Sequence, residues 1–320
     1  MKRIYSILIS FFLFQFLNAQ YEGYSEDSWN DQLKIEESFF KNIDKTSFKK
    51  HLKKLTERPH VVGSEGNQEV IRYIGEVMQL AGMKVTNYPY DVYLPKNPGT
   101  SLIEIVTPNR DVLNQKEDII ENDPYTKDPE LWKGWNAFSG SGDVTAEVVY
   151  ANYGRKEDFE TLKSLGIDVS GKIVIARYGG NFRGYKAKFA EANGASGLII
   201  YTDPQDSGFT KGLVYPNGPY YNSSTIQRGS LLTTDFTGDP LTPFEPALPL
   251  DGKEKIERID PKNAQLHTIP VSPIGYGEAE KILSQMNGDP VPQSWQGGLP
   301  FTYRLQGGSS LTVRLKVDQK

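Results

Sequence analysis

Hydrophobic and polar residues follow two different periods in the middle of this chain, one typical of strands and one typical of helices. Residues 143–150 ("DVTAEVVY") carry apolar side chains at every second position, and "KIVIAR" (172–177) and "GLIIY" (197–201) are apolar runs. Between these two runs, apolar residues recur at helical spacing up to Gly194. A strand, a helix and a strand at this spacing predict a crossover unit with parallel strands.

The same criteria predict further elements on both sides of this unit. Helices are expected at about 35–42, 48–55, 70–81, 159–165 and 279–286, and strands at 83–94, 266–274 and 311–317. Glycine follows three of these helices, as is common at helix ends, and Ser64 in the loop 56–67 is placed to cap the helix after it. Residues 21–97 contain too few elements to bury a core alone.

Two long stretches lack a clear period. Residues 98–142 are predicted to be an irregular, elaborated surface segment, in which Trp132, Trp135 and Phe138 would need burial. Residues 204–265 are rich in proline and glycine. We find no internal repeat and no low-complexity tract.

The N-terminus and the composition bear on location and partners. Lys2 and Arg3 precede the apolar stretch 4–17, and Ala19 provides a small residue for cleavage, so residues 1–19 are predicted to be a secretory signal peptide. The alternative is an uncleaved anchor. A secreted or periplasmic protein without membrane attachment after signal removal is therefore expected. The net charge of −4, without a basic block, argues against nucleic acid as a partner.

The motifs of common active sites are absent from the sequence. The chain has 320 residues, no cysteine, and three histidines that lie far apart and form no His-x-x-x-His pair. There is no Gly-x-Ser-x-Gly motif, and "GGNFRGYK" (179–186) departs from the phosphate-binding glycine patterns. Arg183 remains, because a guanidinium at a helix N-terminus suits a carboxylate or a phosphate. The alternative is a solvent-facing or salt-bridged arginine.

A family resemblance supplies what the motifs do not. The stretch "SGKIVIARYGGNFRGYKAKFAEANGASGLIIYTDP" (170–204) closely resembles the apical, protease-associated domain of the glutamate carboxypeptidase family. That family includes folate hydrolase, also called prostate-specific membrane antigen, and the transferrin receptor. Further stretches match in the same order, at 55–67, 143–159, 227–243 and 269–283. The similarity extends from about Phe40 to the C-terminus.

The resemblance implies a fold and a domain division. The expected fold class is α/β, with a β-rich protease-associated (apical) domain, flanking helices and an incomplete N-terminal piece of an α/β zinc-exopeptidase domain. Residues 20–97 would form that N-terminal piece, and residues 98–320 the apical domain with a core at about 143–290. In the family, two zinc ions, their ligands and the catalytic glutamate lie beyond the matching region. We therefore expect this chain alone to be an inactive fragment.

The resemblance also implies site residues. In folate hydrolase-type members the arginine of the "FRG" turn holds the carboxylate of a C-terminal glutamate, so Arg183, Phe182 and Ser230 are the expected substrate-binding residues. Those members have asparagine where this chain has Ser230, and a hydroxyl offers fewer hydrogen bonds than an amide, so a less strict preference for glutamate is expected. Thr242 and Glu245 occupy the backbone positions of a structural calcium site, whose acidic half is missing here.

Two functions follow as hypotheses. In the first, the chain is the substrate-recognition part of a secreted zinc exopeptidase that acts on peptides with C-terminal acidic residues, and a homodimer is expected only for the complete protein. In the second, it is a non-catalytic peptide- or protein-binding module, like the receptor members of the family. Val70, Ile74, Val77 and Met78 weigh against a free-standing module, because without a partner domain they would form an exposed apolar stripe.

Overall fold

The structure is a computed structural model that describes residues 23–319. The predicted signal peptide, residues 1–19, lies outside the described residues. The chain divides into two compact units, one up to Arg58 and one from Pro59 onward. None of the helices in the described range combines the length and the apolar character needed to span a lipid bilayer.

The first unit contains two predicted helices, and both are confirmed. Helix α1 (Glu26–Lys41) begins after Ser25, whose side chain accepts a hydrogen bond from the Ser28 amide. Helix α2 (Lys45–Leu55) begins after Asp44, which accepts from the Thr46 amide in the same way. These caps satisfy amide groups that would otherwise lack partners at helix starts.

The second unit contains most of the secondary structure. Its helices are α3 (Glu65–Leu80), α4 (Lys156–Ser164), α5 (Arg183–Ala192), α6 (Pro204–Ser207) and α7 (Tyr276–Leu283). Its strands are β1 (Thr100–Thr107), β2 (Asp111–Val112), β3 (Asn136–Ala137), β4 (Gly142–Tyr150), β5 (Ile173–Arg177), β6 (Gly197–Tyr201), β7 (Gly229–Ser230), β8 (Gly238–Asp239), β9 (Thr242–Pro243), β10 (Val271–Ile274) and β11 (Thr312–Asp318). Short 3₁₀ helices lie at Pro124–Lys127, Pro261–Asn263, Gln293–Trp295 and Gly308–Ser310.

Seven of these strands form one mixed sheet in the order β10–β6–β5–β4–β11–β1–β2. The pairs β4–β5, β5–β6 and β6–β10 are parallel, which confirms the predicted crossover unit. Strands β11, β1 and β2 continue the sheet in antiparallel pairing. The chain thus has the α/β fold expected from its sequence.

The core lies around the parallel strands. Every residue of β5 and β6 is buried, which explains why both strands are continuous apolar runs rather than alternating ones. Helices α4, α5 and α7 cover the sheet with apolar residues that include Leu162, Ala190 and Ile282. Gly166 and Gly194 follow α4 and α5 with φ of +73° and +80°, so the predicted helix ends are confirmed.

One buried carboxylate ties the core to the C-terminal region. Asp203 is fully buried two positions after the end of β6, where it accepts hydrogen bonds from the hydroxyls of Tyr201 at 3.0 Å and Tyr303 at 2.5 Å. The backbone amides of Gln205 and Gly298 donate to its other oxygen at 2.9 and 2.7 Å. Four donors around one carboxylate replace the water that it would bind in solution, so its burial is tolerated.

Two predictions about the N-terminal half of this unit are wrong. Residues 83–94 do not form a strand, because in the described residues they pair with no other strand and make isolated hydrogen bonds, such as Asp91 N to Ala247 O at 2.9 Å. Residues 98–142 were expected to be irregular but contain β1, which pairs with β11 from Thr100 to Thr107. Phe138 is buried as expected, and Trp132 and Trp135 are half-buried in edge contact at 5.9 Å.

Helix α3 matches its predicted position, and Ser64 caps it through a 3.2 Å bond from the Asn67 amide. Its apolar stripe lies open in this chain: Ile74 and Met78 are 39% and 43% exposed. The exposed stripe expected from the sequence is therefore confirmed in part, because Val70 and Val77 are half-buried.

Candidate functional site

The candidate site is built around the turn that joins β5 to α5. Arg183 is the first residue of α5, and Phe182 precedes the helix with extended backbone. Gly179 and Gly180 have φ of +97° and +73°, a conformation that side chains other than glycine rarely adopt. The turn therefore places Arg183 at a helix N-terminus, where unpaired backbone amides add positive potential.

A buried lysine, Lys186, supports this turn through hydrogen bonds. The Nζ of Lys186 donates to the carbonyls of Tyr153 at 2.5 Å and Gly179 at 2.7 Å, and to the side-chain oxygen of Asn181 at 2.7 Å. Lys186 is fully buried, and this burial lowers its pKa to about 7. Its three hydrogen bonds fix the backbone on both sides of the glycine turn.

Strand β7 forms the facing wall of the site. The guanidinium of Arg183 lies flat against Gly229, where a Cβ would stand only 2.4 Å from Nη1 and 2.6 Å from Cζ. Any side chain at position 229 would therefore displace the guanidinium. The contact requires glycine for a second reason, because Gly229 has a φ of +152°.

Arg183 retains hydrogen-bonding capacity in this arrangement. Its Nη1 makes one long bond, 3.5 Å, to the Ser230 carbonyl, and its buried Nε has no partner among residues 23–319. Two aromatic rings flank the guanidinium, with centroid distances of 5.4 Å for Phe182 and 5.8 Å for Tyr178. The guanidinium is thus held in place by contacts that leave donors available for an anion.

The predicted site residues therefore come together. Ser230 lies in β7 beside Arg183, and its Oγ accepts from the Leu232 amide at 3.0 Å. Phe182 is 41% exposed and contacts the guanidinium from the other side. The proximity of these three residues agrees with the expected site, and their role in substrate binding stays a prediction.

Strand β7 is itself anchored to the rest of the unit. Arg228 forms a two-pronged ion pair with Glu117, at 2.5 and 2.7 Å, and donates to the Trp132 carbonyl at 2.6 Å. The Tyr178 hydroxyl donates to the Gln227 carbonyl at 2.8 Å. Burial raises the pKa of Tyr178 to about 12, so its hydroxyl remains a donor at neutral pH.

A histidine and a glutamate fasten the far end of α5 to the same segment. His267 contacts Glu191 of α5 through Nδ1 at 3.2 Å and the Leu231 carbonyl through Nε2 at 3.0 Å. Glu191 also accepts from the backbone amide of Thr268 at 2.9 Å. Burial raises the pKa of Glu191, but hydrogen bonds from Thr268 and His267 outweigh burial and hold it below its usual value.

This arrangement predicts an acid-sensitive contribution to stability. A carboxylate with a lowered folded-state pKa stabilises the fold above its unfolded pKa, near 4.5, and this stabilisation is lost as the pH falls. We expect Glu191→Gln to lower the free energy of unfolding by about 1 kcal/mol at pH 6 and by much less at pH 3.5. Urea titrations at both pH values measure the difference.

The matched control for this prediction is Glu160→Gln, at an exposed glutamate of α4 that forms only a helical ion pair with Lys156. It should change stability little at either pH. An equal effect of Glu191→Gln at pH 6 and pH 3.5 would contradict the role assigned to the carboxylate.

The predicted calcium residues lie in one tight turn. The Glu245 amide donates to the Thr242 carbonyl at 3.1 Å, and Thr242 Oγ1 donates to the Glu245 carbonyl at 3.2 Å. Both carbonyls lie beside Gly238, where a Cβ would stand 2.6 and 3.0 Å from them. Two carbonyls fall well short of the roughly six to eight oxygens that calcium takes, so this turn alone does not fit the ion.

Residues 23–319 hold no group of three or more histidine, cysteine, aspartate or glutamate side chains that could bind a metal ion. His267 binds Glu191 and Leu231 instead, as described above. The donor set within this range therefore does not fit a zinc site.

Sequence reasoning did not identify Lys186 and Asp203 as buried supports. Lys186 lies two positions before the exposed Lys188, and both look alike in the sequence. One signal was present for Lys186, since it falls on the apolar face of α5 with Ala187 and Ala190, where a charge is unusual.

Comparisons with known proteins identify the class. Residues 144–234 match the PA domain family. The glutamate carboxypeptidase 2 homolog of Caenorhabditis briggsae is 33% identical, over 100% of this chain and 44% of the relative. Aminopeptidase NAALADL1 of Rattus norvegicus is 32% identical, over 88% of this chain and 38% of the relative. The chain thus spans less than half the length of these two relatives.

A solved zinc aminopeptidase from Bacillus subtilis is 15% identical, over 84% of this chain and 42% of that chain, with a TM-score of 0.35, too low to support any argument. The family comparison therefore rests on the PA domain and on the two relatives. The chain carries a PA domain and is similar to proteins of the glutamate carboxypeptidase family, which confirms the resemblance seen in its motifs.

Proposed function

We propose that this chain is the substrate-recognition part of a secreted, glutamate carboxypeptidase-like zinc exopeptidase. In this proposal Arg183, supported by Phe182 and Ser230, holds the C-terminal carboxylate of a peptide. The export of the protein follows from the signal peptide predicted at residues 1–19. Peptides that end in an acidic residue are the proposed substrates, as the family resemblance implies.

The proposal rests on the fixed position of the Arg183 guanidinium and on its unused hydrogen-bond donors. Its guanidinium is fixed between Gly229 and Phe182, yet within residues 23–319 it makes a single long hydrogen bond, of 3.5 Å, to the Ser230 carbonyl. A guanidinium with free donors beside a helix N-terminus is suited to a carboxylate, which it can bind through two parallel hydrogen bonds. A preorganised clamp of this kind loses little side-chain entropy on binding.

The charge of the clamp favours one end of a peptide. One relative is named an aminopeptidase, whereas others are named glutamate carboxypeptidases. A guanidinium attracts a terminal carboxylate and repels a terminal ammonium group. Arg183 therefore supports recognition of the carboxyl end.

In this proposal, residues 23–319 position the peptide and do not cleave the peptide bond. In the proposed complete enzyme, zinc would supply an activated water, and the present residues would position the peptide. We assign no catalytic step to this chain, because its described carboxylates and histidines form no metal-binding group.

Binding measurements test the proposal directly. The purified chain is titrated by calorimetry with an acetylated peptide that ends in glutamate and with the same peptide carrying a C-terminal amide. We expect the free carboxylate to bind about 10- to 100-fold more tightly, the range expected for hydrogen bonds to a charged group. Arg183→Ala should remove this difference, and Arg183→Lys should retain a small part of it.

Lys188→Ala is the matched control, since Lys188 is an exposed cation on the same helix, paired with Asp235 at 3.1 Å. It should leave both affinities within about twofold. If Arg183→Ala still prefers the free carboxylate as the unmodified chain does, the clamp is assigned to the wrong residue.

A further inference from the structure

Three aromatic side chains form a continuous row along the outer face of α5, starting beside the clamp. Phe182 meets Tyr185 edge-on with 6.3 Å between ring centroids, and Tyr185 stacks on Phe189 at 6.0 Å with 21° between ring planes. We refer to Phe182, Tyr185 and Phe189 as the aromatic strip.

Two of the three rings of the aromatic strip lie outside the core, and the third, Phe189, packs against it. The buried face of α5 consists of Gly184, Lys186, Ala187 and Ala190. Phe182 and Tyr185 lie on the opposite side and are 41% and 45% exposed, while Phe189 is half-buried. Adjacent aromatic rings left in solvent are uncommon on a helix and commonly mark a surface that binds something.

The strip is joined to the clamp physically. The Arg183 guanidinium lies 5.4 Å from the centre of the Phe182 ring, so the positive charge and the first ring form one surface. A ligand that places its carboxylate on Arg183 has Phe182 as an immediate neighbour and Tyr185 one ring further on.

The charges near the strip are neutralised in pairs. Lys188 pairs with Asp235 at 3.1 Å, and Glu191 is occupied by His267 and Thr268. Arg183 lies directly against the strip and keeps donors for an anion, and the paired charges leave the strip suited to an uncharged, apolar group.

We propose that the aromatic strip is a side-chain subsite, which binds an aromatic or large apolar residue upstream of the carboxylate held by Arg183. The proposal rests on the function proposed above and specifies its substrate class further. An extended peptide advances about 3.3 Å per residue, so rings spaced by 6.3 and 6.0 Å can be reached one to three residues before the C-terminus. The preferred ligand is an apolar or aromatic peptide segment with an acidic end.

The test uses a phenylalanine scan of one short peptide. The full chain is titrated with acetyl-Ala-Ala-Ala-Glu and with the three peptides in which one alanine is replaced by phenylalanine. We expect phenylalanine to strengthen binding about fivefold to tenfold at one of the three positions, the range of an added aromatic contact. Tyr185→Ala should remove this gain and leave the affinity for the all-alanine peptide nearly unchanged.

Phe209→Ala is the matched control, since Phe209 is 48% exposed and also contacts another ring, Tyr276, at 5.9 Å. It should keep the full gain from phenylalanine. Tyr185→Leu provides a second variant, which retains apolar area but cannot stack, and it should keep only part of the gain.

The outcomes separate this proposal from the one on which it rests. If glutamate is preferred over its amide but phenylalanine gives no gain at any position, the aromatic strip is not a subsite and the carboxylate clamp stands. If the gain persists in Tyr185→Ala, the subsite lies elsewhere and the proposal fails. If no peptide binds at all, both proposals fail.

Discussion

Asp203→Ala is expected to lower the free energy of unfolding by about 4 kcal/mol, the largest effect predicted for this chain. The substitution leaves two tyrosine hydroxyls and the amides of Gln205 and Gly298 without their acceptor in a fully buried place. Each unsatisfied buried donor costs about 1–3 kcal/mol, and relaxation of the surroundings recovers part of the total. Urea unfolding followed by tryptophan fluorescence measures the loss.

Two further variants make this expectation specific. Asp203→Asn keeps one oxygen acceptor, so its loss should be smaller than that of alanine. Asp235→Ala removes an aspartate whose side chain is 80% exposed, and it should change stability by less than about 0.5 kcal/mol. Equal stability of Asp203→Ala and Asp235→Ala would show that the four hydrogen bonds contribute nothing.

Lys186→Met is expected to lower the free energy of unfolding by about 3 kcal/mol. It is also expected to weaken the binding of a peptide carboxylate. Methionine matches the stem of lysine in length, but it removes the lysine donor from the Tyr153 carbonyl and the Asn181 side chain, and it leaves the Gly179 carbonyl with the Asn181 amide alone. Because these groups fix the turn before Arg183, the clamp loses its preorganised position. Urea unfolding and glutamate-peptide titration of the same sample measure both effects.

Lys188→Met provides the comparison for Lys186→Met, because it changes the same residue type on the same helix at an exposed position. It should leave stability and peptide affinity nearly unchanged. A stable Lys186→Met variant with normal peptide binding would contradict the role of Lys186 as support of the turn.

The parallel strands were predicted correctly because strands that are buried on both faces appear in the sequence as runs of adjacent apolar residues. Strands β5 and β6 are buried on both faces, so each is a visible apolar run, and α5 between them ends at a glycine. Strand β1 was missed because its pattern is mixed: Glu104 lies in its middle and is 2% exposed. That carboxylate is accommodated through an ion pair with Arg110, which only the folded chain reveals.

The strand predicted at 83–94 is wrong for the opposite reason. Its residues have strand-like composition, but a strand also requires a partner strand, and within the described residues this segment makes isolated hydrogen bonds instead, such as that from the Tyr93 amide to Asp239 at 2.6 Å. The strand preference of individual residues does not determine whether a segment pairs with another strand.

The candidate site was predictable only in part. Ser230 lies 47 positions after Arg183 and 48 after Phe182, and the proximity of these residues followed from the family resemblance and not from spacing. Lys186 was not identified, although its place on the apolar face of α5 was a signal, because a charge pattern records which residues ionise and not which are buried. The aromatic strip has helical spacing, which normally indicates a core face, and its exposure is visible only in three dimensions.

Strands β1 and β11 are neighbours, and their pairing includes Thr100 opposite Asp318. Opposed residues of antiparallel strands lie about 5 Å apart, so the polypeptide enters and leaves the seven-stranded sheet at almost one point. A module with such an entry and exit can be spliced into a surface loop of a host protein without stretching it, and a short linker between these points would permit circular permutation. The sheet therefore has the topology of a domain that can be inserted into another polypeptide.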